Sequence, residues 1–390
     1  MAIPAIILGR GDTALGAMRC LARQGKTVLT ATVASDLATK SRYFHPAFSR
    51  DDRRLDAGWN EDSYDILSEM SVDRGVLVPC SDAAATWVAE MPDKLRERFP
   101  SSSPSKQCLD IVQDKRNFAD LCIQLDVPHP GYFLIESDED LAAAPIEDLS
   151  NWFFKPSNSR EFLAKYRKKA IRFTGRAEAK ALWDKFSADK ITVFMQEYVP
   201  GGADQHYFID GFRDRHGNVR ARLARRRTRI YPPDFGNSSY CYQIPIEDID
   251  PAWQSLERIL DKTEYRGIFS AEFKYDAQRD EYRILELNAR AWVYVEFAAW
   301  CGIDVCNLAY LDALEQDVPL LVDKRPGAGC VNMYRDYHAI MGCPKSDRPS
   351  VYAIARQWIA ARKTLFCWDD PMPALVWGFR LLVARLKRQH

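Results

Sequence analysis

Ser270-Ala-Glu272-Phe-Lys-Tyr275, then a polar loop over 276–281, then Tyr282-Arg-Ile-Leu-Glu286-Leu-Asn288-Ala-Arg290, is the stretch that decides how this chain reads. Alternate side chains of a strand share a face. Glu286 and Asn288 therefore point one way, and Leu285 and Leu287 point to a core. A hairpin centred near Arg279 sets Glu272 opposite Glu286 on the face that carries Asn288. Two carboxylates and an amide oxygen side by side repel unless a hard cation lies between them. Mg²⁺ suits such a set, taking few protein oxygens and the rest from water and phosphate. The plainer alternative is a solvated hairpin face. It accounts for Glu and Lys but not for Asn288 followed at once by Arg290 and a buried helix.

Upstream lie residues that would face an anion. Lys115 opens a helix, and Lys155 ends an apolar strand, Trp152-Phe-Phe-Lys155-Pro. A lysine in that setting is partly buried and needs an anionic partner. A nucleotide phosphate would serve, and so would a structural carboxylate. The following Ser157-Asn-Ser159-Arg-Glu-Phe162 would cover phosphates with backbone N–H groups, although it lacks glycine. Met195-Gln-Glu197-Tyr198-Val199-Pro-Gly-Gly-Ala-Asp204 reads as a strand entering a turn. It offers a backbone edge for an adenine ring and a carboxylate, Asp204, for ribose hydroxyls; the alternative is an ordinary hairpin turn. Arg225, Arg226, Arg227 and Arg229 precede Tyr231-Pro-Pro-Asp-Phe-Gly236-Asn-Ser-Ser-Tyr240. Strand alternation aims only part of this basic run inward. One or two of its members, Arg227 among them, would meet a γ-phosphate or an acyl phosphate, to which planar guanidinium donors are matched.

At the start, Ala5–Leu8 is a short apolar strand running into Gly9, Gly11 and Gly16, with an amphipathic helix (Leu15, Met18, Leu21, Ala22) and a second strand over Thr27–Thr32. This is a βαβ opening. The spacing Gly-x-Gly-x₄-Gly departs from the dinucleotide fingerprint, and no acidic residue closes the second strand at Thr30–Val33 to hold a ribose. These glycines read as fold turns, lining an acceptor pocket with Ser81 and Asp82 at the carboxyl end of the strand Val76–Pro79. Ser101-Ser-Ser-Pro-Ser105 reads as a linker. Further strands are expected at Trp152–Lys155, Thr192–Glu197, His206–Asp210, Val219–Arg225, Ile268–Tyr275 and Tyr282–Asn288. Helical spacing runs through Phe118, Leu121, Cys122 and Leu125 until Pro128 and Pro130.

Composition narrows the class. The 54 lysines and arginines balance 54 aspartates and glutamates, so no global field draws the chain to nucleic acid. Ten cysteines without a Cys-x-x-Cys pair fit reduced thiols in a cytoplasm better than a disulfide framework or a zinc site. No run of apolar residues is long enough to span a bilayer. Toward the end, Leu375, Val376, Phe379, Leu382, Val383 and Leu386 form an apolar stripe beside Arg380, Arg385, Lys387 and Arg388, with Trp358, Trp368 and Trp377 in the same tail. Such a stripe either packs on its own domain or rests peripherally on a membrane surface.

Taken in order, Lys115 in Asp-Lys-Arg-Asn-Phe-Ala-Asp, Lys155 in Phe-Lys-Pro, Glu197 in Gln-Glu-Tyr-Val-Pro-Gly-Gly, Glu272 in Ala-Glu-Phe and Glu286/Asn288 in Glu-Leu-Asn-Ala-Arg resemble the ATP-grasp superfamily over roughly residues 3–320. Lys-Pro-Ser-Asn-Ser-Arg-Glu-Phe and Tyr-Pro-Pro-Asp-Phe-Gly-Asn-Ser-Ser-Tyr look most like the carboxylate–amine ligases near D-aspartate ligase. The resemblance implies an α/β and α+β chain: a Rossmann-like preceding domain (1–105), two ATP-grasp subdomains (106–200 and 201–325) and a C-terminal helical extension (326–390). It implies ATP held by Lys115, Lys155, Ser157, Ser159, the Glu197-Tyr198-Val199 segment and Asp204. It further implies two Mg²⁺ ions, replaceable by Mn²⁺, on Glu272, Glu286 and Asn288, with Arg290 and Arg227 at an acyl phosphate. The implied substrates are a small carboxylate and an amine, an amino acid among them. Competing readings are a non-catalytic nucleotide-binding scaffold and an NAD-dependent oxidoreductase. The second leaves the Glu272–Asn288 hairpin unexplained. A carboxylase-like ATP-grasp enzyme is a further alternative, without a biotin or bicarbonate signature in this sequence to support it.

Overall fold

A computed structural model describes residues 2–48, 58–60, 63–70, 72–144, 151–156, 162, 165–233 and 235–387. Three sheets organise these residues. In the first, β1 (Ala5–Leu8), β2 (Val28–Ala31) and β3 (Val76–Pro79) run parallel in the order β2-β1-β3. Parallel strands covered on both faces are apolar throughout, and all four residues of β1 and of β3 are buried. Ala5 and Ile7 pack on Leu15 and Met18 of the helix Gly11–Arg23, while Ile6 and Leu8 meet Leu77 and Trp87 on the other side. Gly9 turns the chain out of β1 with φ at +155°, where a Cβ would fall 2.7 Å from that of Cys80. The glycine is thus required by the close approach of two strand ends.

The second sheet is antiparallel, β4 (Tyr132–Ile135), β5 (Trp152–Pro156), β6 (Ile171–Arg172) and β7 (Val193–Glu197) in the order β4-β7-β5-β6. Phe154 and Met195 pack on Trp183 and Phe186 of the helix Arg176–Ala188. Alternation therefore turns Phe153 and Lys155 to the opposite face.

The third sheet contains β8 (His206–Arg213), β9 (Val219–Tyr231), β10 (Asn237–Ile244), β11 (Gly267–Asp276), β12 (Glu281–Asn288), β13 (Gly329–Val331) and β14 (Arg362–Lys363), ordered β12-β11-β8-β9-β10-β13-β14. Ile209, Ala224, Phe269, Ala271 and Phe273 on one face bury Trp253, Leu256, Ile259 and Leu260 of the helix Asp250–Lys262. The other face packs at one end on the helix Gly11–Arg23 and its neighbours, and at the other end is open toward the second sheet. β9 runs through the whole arginine cluster to Tyr231, beyond the Arg225 limit expected from sequence. β4 and β10 were not among the strands expected; in β10, Ser238, Ser239, Cys241 and Gln243 are buried by pairing with β9 and β13. Ser101–Ser105 has neither helix nor strand, but it does not hang free. Ser101 Oγ donates to Leu77 O at 2.8 Å, Ser102 Oγ to Asp312 Oδ2 at 2.6 Å, and Ser105 caps the helix Lys106–Val112.

The tail adds β13 and β14 to the third sheet and three helices, Met333–Gly342, Val351–Ala360 and Met372–Leu386. Arg19, fully buried, ties it to the first sheet. Its guanidinium donates to Asp370 Oδ2 (2.9 Å), Asp370 O (2.9 Å), Leu365 O (3.1 Å) and Glu296 Oε2 (3.1 Å). Asp370 also accepts from Ser41 Oγ and the Arg42 N–H, and Glu296 from Arg23 and Arg362. Removing one member of such a network leaves opposite charges buried without compensation. Arg19→Met is therefore expected to cost about 3–5 kcal/mol of unfolding free energy, read by chemical denaturation. A loss below about 1 kcal/mol would show that the cluster contributes no more than a surface ion pair.

Candidate functional site

A cleft of about 450 Å³ lies between the second and third sheets. Its acidic floor comes from the β11–β12 hairpin, where Glu272 pairs in register with Glu286 and Ser270 with Asn288, as the alternation argument requires. One expectation is corrected. Leu285 does not point to the core but lines the cleft with Glu286, and the core positions of β12 are Ile284 and Leu287. The cause is a bulge: Phe273 pairs with Ile284, one step beyond the Glu272–Glu286 pair, so Leu285 is an extra residue and alternation restarts after it.

The carboxylates are held by side chains from other elements. Glu272 Oε1 receives His206 Nδ1 at 2.8 Å and Arg227 Nη2 at 3.1 Å, while Oε2 has no partner among the described residues. Burial alone would raise this carboxyl's pKa, but Arg227 and His206 outweigh it and hold it well below the ordinary range. Glu286 Oε1 accepts from Asn288 Nδ2 at 3.0 Å, and Oε2 lies 3.8 Å from Lys115 Nζ. Burial opposes its ionisation, and Lys115 and Lys155 prevail. Asn288 Oδ1 accepts from Arg290 at 2.9 Å, and Arg290 also pairs with Asp82 at 2.9 Å. The first sheet thereby reaches the floor of the cleft. Two carboxylates and an amide oxygen, with one carboxylate oxygen unengaged, are a donor set that suits Mg²⁺.

Lys155 faces this floor from β5. Burial, then repulsion from Lys115, pushes its pKa down to about 8, against the pull of Glu286 and Glu272. Lys169 lines the same wall, donating to Asn237 Oδ1 at 2.9 Å, and burial lowers its pKa too. Two desolvated ammonium groups facing two carboxylates leave room between them for a polyanion with metal. Farther along, Phe153, Phe235, Val199 and Leu285 make an apolar stretch of wall. Tyr198 is clasped there, with the Arg172 guanidinium 3.7 Å and the Lys274 ammonium 4.3 Å from its ring centroid.

Other sequence-derived residues take different places. The Glu197 carboxylate is engaged by Arg283 (Nη1–Oε1 3.0 Å) and by the Gly131 N–H (2.9 Å), and these hold its pKa down. It joins β7 to β12 and to the residue before β4, and Glu197, Tyr198 and Val199 line the cleft. Asp204, expected near a ribose, is exposed, pairs with Arg226 at 3.4 Å, and is not among the lining residues. Of the arginine run, only Arg227 lines the cleft. Arg225 is buried against Asp210 (2.6 Å), and Arg229 is bonded to Asp336 (2.8 Å). Ser157 and Ser159 lie outside the described residues. Sequence reasoning missed His206, Lys169 and Lys274. Lys274 had a signal, since it stands two residues from Glu272 on one strand. His206 and Lys169 had none, because each reaches the cleft through a pairing or loop that one sequence does not reveal.

No family model matches the chain. D-aspartate ligase of Enterococcus faecium is 24% identical over 246 residues, which cover 61% of this chain and 58% of that protein. The match thus spans little more than half of the curated relative's length. Among solved structures, biotin carboxylase from Campylobacter jejuni superposes with a TM-score of 0.64 at 16% identity, covering 84% of this chain and 74% of that one. L-amino acid ligase from Bacillus licheniformis gives 0.57 at 15% identity, covering 82% and 75%. The chain has the ATP-grasp fold. In sequence it is similar to D-aspartate ligase.

The lysine wall predicts a proton linkage. With the cleft empty, Lys155 loses its proton near pH 8. An anion beside it favours the charged form and raises that value. Binding of Mg·ATP should therefore take up a proton between about pH 8 and 10, and affinity should fall as pH rises through that window. Calorimetry in buffers of different ionisation enthalpy reads the uptake. Lys155→Met should remove it, and an unchanged uptake in that variant would assign the proton elsewhere.

Proposed function

We propose that this protein is an ATP-dependent carboxylate–amine ligase. The observation that carries the reading is the opposition, across one cleft, of Glu272, Glu286 and Asn288 to Lys155 and Lys169, with Lys115 3.8 Å from Glu286. A non-catalytic scaffold has no need of so many ionised groups held close together, and an oxidoreductase reading leaves them unused. In this proposal Lys115 and Lys155 bind the α- and β-phosphates. The base lies along the backbone of Glu197-Tyr198-Val199 against Phe153 and Leu285. Ser157 and Ser159 are proposed to cover the phosphates, and Asp204 to reach the ribose if it turns inward from Arg226. Glu272, Glu286 and Asn288 hold two Mg²⁺ ions, with Mn²⁺ as a substitute, which supply neutralisation of the phosphate charge.

The chemistry then follows from positioning and electrostatics. The substrate carboxylate attacks the γ-phosphorus, the bond to ADP breaks, and an acyl phosphate forms. Arg227 and Arg290 face the transferred group with planar donors. An unprotonated amine attacks the acyl carbon, phosphate departs, and the amine's second proton goes to solvent, giving an amide, ADP and phosphate. An amino acid as one substrate accords with the names of the two ligases to which the chain is similar. Domain limits at 105 and 200 are proposed, between the strands of the first and second and of the second and third sheets; the limit at 325 divides the strands of the third sheet, since β13 and β14 follow it.

Phosphate release from Mg·ATP, measured against amino acids and small carboxylates, tests this directly. Glu286→Gln should keep nucleotide binding and lose at least about 100-fold in kcat, the scale of one lost electrostatic contact to a reacting group. Turnover undiminished in that variant would remove the assignment.

We further propose a peripheral membrane contact through the tail. Leu375, Phe379, Leu382 and Leu386 recur along one side of the helix Met372–Leu386, and all four are more than half exposed. Thirteen of the sixteen large apolar side chains exposed among the described residues lie in 333–386. Residues 332–390 carry ten lysines and arginines against four aspartates, a net +6 in a chain that is neutral overall. Apolar stripes with basic flanks lie on anionic lipid surfaces. No helix among the described residues is long and apolar enough to cross a membrane. The protein should sediment with phosphatidylglycerol vesicles and not with phosphatidylcholine alone. Leu375→Glu with Phe379→Glu should reduce that binding at least about tenfold. Failure of the unaltered protein to sediment overturns the proposal.

A further inference from the structure

Two buried thiols and a carboxylate meet where the first sheet joins the third. Cys20 stands on the helix Gly11–Arg23, which packs on one face of the parallel sheet. Asp304 caps the helix Val305–Ala313, and Cys306 lies in that helix's first turn. The Val305–Ala313 helix packs on Gly11–Arg23 and on β3, β8 and β11. Cys20 and Cys306 are buried and Asp304 is partly so, and one donor atom from each lies within 4.8 Å of the other two. Nothing in the sequence announces this group. The lack of a Cys-x-x-Cys pair excludes thiols that are neighbours in the chain, whereas here one thiol comes from the opening helix and the other from far downstream.

The carboxylate is the informative member. Glu296, on the neighbouring helix Val295–Trp300, collects Arg19, Arg23 and Arg362. Asp304 forms no ion pair among the described residues. Its Oδ2 accepts from Gln24 Nε2 and its Oδ1 from the Asn307 N–H, each at 3.1 Å. These bonds fix the direction of the carboxylate and leave lone pairs over. A carboxylate drawn from water without a cation is costly, and two thiols, weak donors, do not answer its charge.

We propose that Cys20, Asp304 and Cys306 form a zinc site, two thiolates and one carboxylate holding a tetrahedral ion whose fourth position is taken by water. Thiolate ligands select zinc over the hard Mg²⁺ that suits the cleft. Two sulfurs on a tetrahedral zinc stand about 3.8 Å apart, so donor atoms within 4.8 Å of one another need close by no more than about 1 Å. Binding releases both thiol protons. The ligands then carry three negative charges against two positive ones, and the excess lies at the N-terminus of the nine-residue helix Val305–Ala313, whose dipole favours it. Gln24 and the Asn307 N–H are the outer partners that orient a ligating carboxylate. The ion pins the opening helix to the helix that packs on β8 and β11, and so fixes the first sheet against the third. The site is independent of the ligase reading.

Zinc titration against a chromophoric chelator tests it on the full chain, stripped of metal and kept under a phosphine reductant, with cobalt as a spectroscopic substitute. One Zn²⁺ per chain should bind with a dissociation constant of about 1 μM or tighter. Cobalt in its place should show thiolate-to-metal charge-transfer absorption in the near ultraviolet, which the cleft carboxylates do not give. Cys306→Ser should weaken zinc at least about 100-fold and diminish that absorption. Asp304→Asn, which keeps a good helix cap, should weaken zinc about tenfold or more. Cys241→Ser, at the buried thiol paired in register with Cys330, should change neither. All three variants should bind Mg²⁺ with a non-hydrolysable ATP analogue as the unaltered protein does, and that binding reports on the ligase reading separately. The site is overturned if no zinc binds, if cobalt binds without thiolate absorption, or if Cys306→Ser and Asp304→Asn hold zinc as tightly as the unaltered protein.

Discussion

Two carboxylates directly opposite one another on an antiparallel pair repel, and much of this molecule is arranged around the repulsion between Glu272 and Glu286. The groups that answer it come from separate parts of the chain: the His206 ring from β8, and the cations Arg227 from β9 and Lys115 from the start of a helix. Each can reach the hairpin only if its own element is correctly placed. The second sheet then presents Lys155 and Lys169 to the same floor at the expense of their solvation. Charge is thus concentrated on both walls of one cleft, and neither wall neutralises the other by contact alone.

The hairpin register was legible because it depends on a period of two and a turn position, both local properties. The bulge at Leu285 was not, since the extra residue is defined only against the partner strand. The same distinction separates Lys274 from His206: one shares a strand with Glu272, the other arrives from a neighbour. The Glu197–Arg283 pair was not legible either, since it joins residues 86 apart on different sheets. Least legible was the Arg19–Asp370 contact, which joins residues 351 apart in the chain. Such a pair leaves no periodic trace, and Arg19 within a buried helix face would ordinarily count against that face being core.

The tail inverts the usual logic of an amphipathic helix. A helix that docks on its own domain buries its apolar side. The helix Met372–Leu386 instead keeps Leu375, Phe379, Leu382 and Leu386 outward, while Arg380 donates to Ser35 O on the first part of the chain. Tyr334 and Trp377, edge to face at 5.2 Å, join this helix to the helix Met333–Gly342.

The bulge carries a consequence for how this cleft can change. It sets an apolar wall residue, Leu285, and an acidic floor residue, Glu286, next to each other on a single strand and on a single side of it. Restoring regular alternation by deleting a residue would turn one of them away. Enlarging or shrinking the side chain at 285 would press on the backbone that aims the carboxylate at 286. Selectivity for whatever packs on the wall and affinity for whatever binds the floor are thus mechanically linked, and substitutions at the two positions should not combine additively. Such a site would diversify mainly through its far end, where Asp82 arrives from the end of the first sheet.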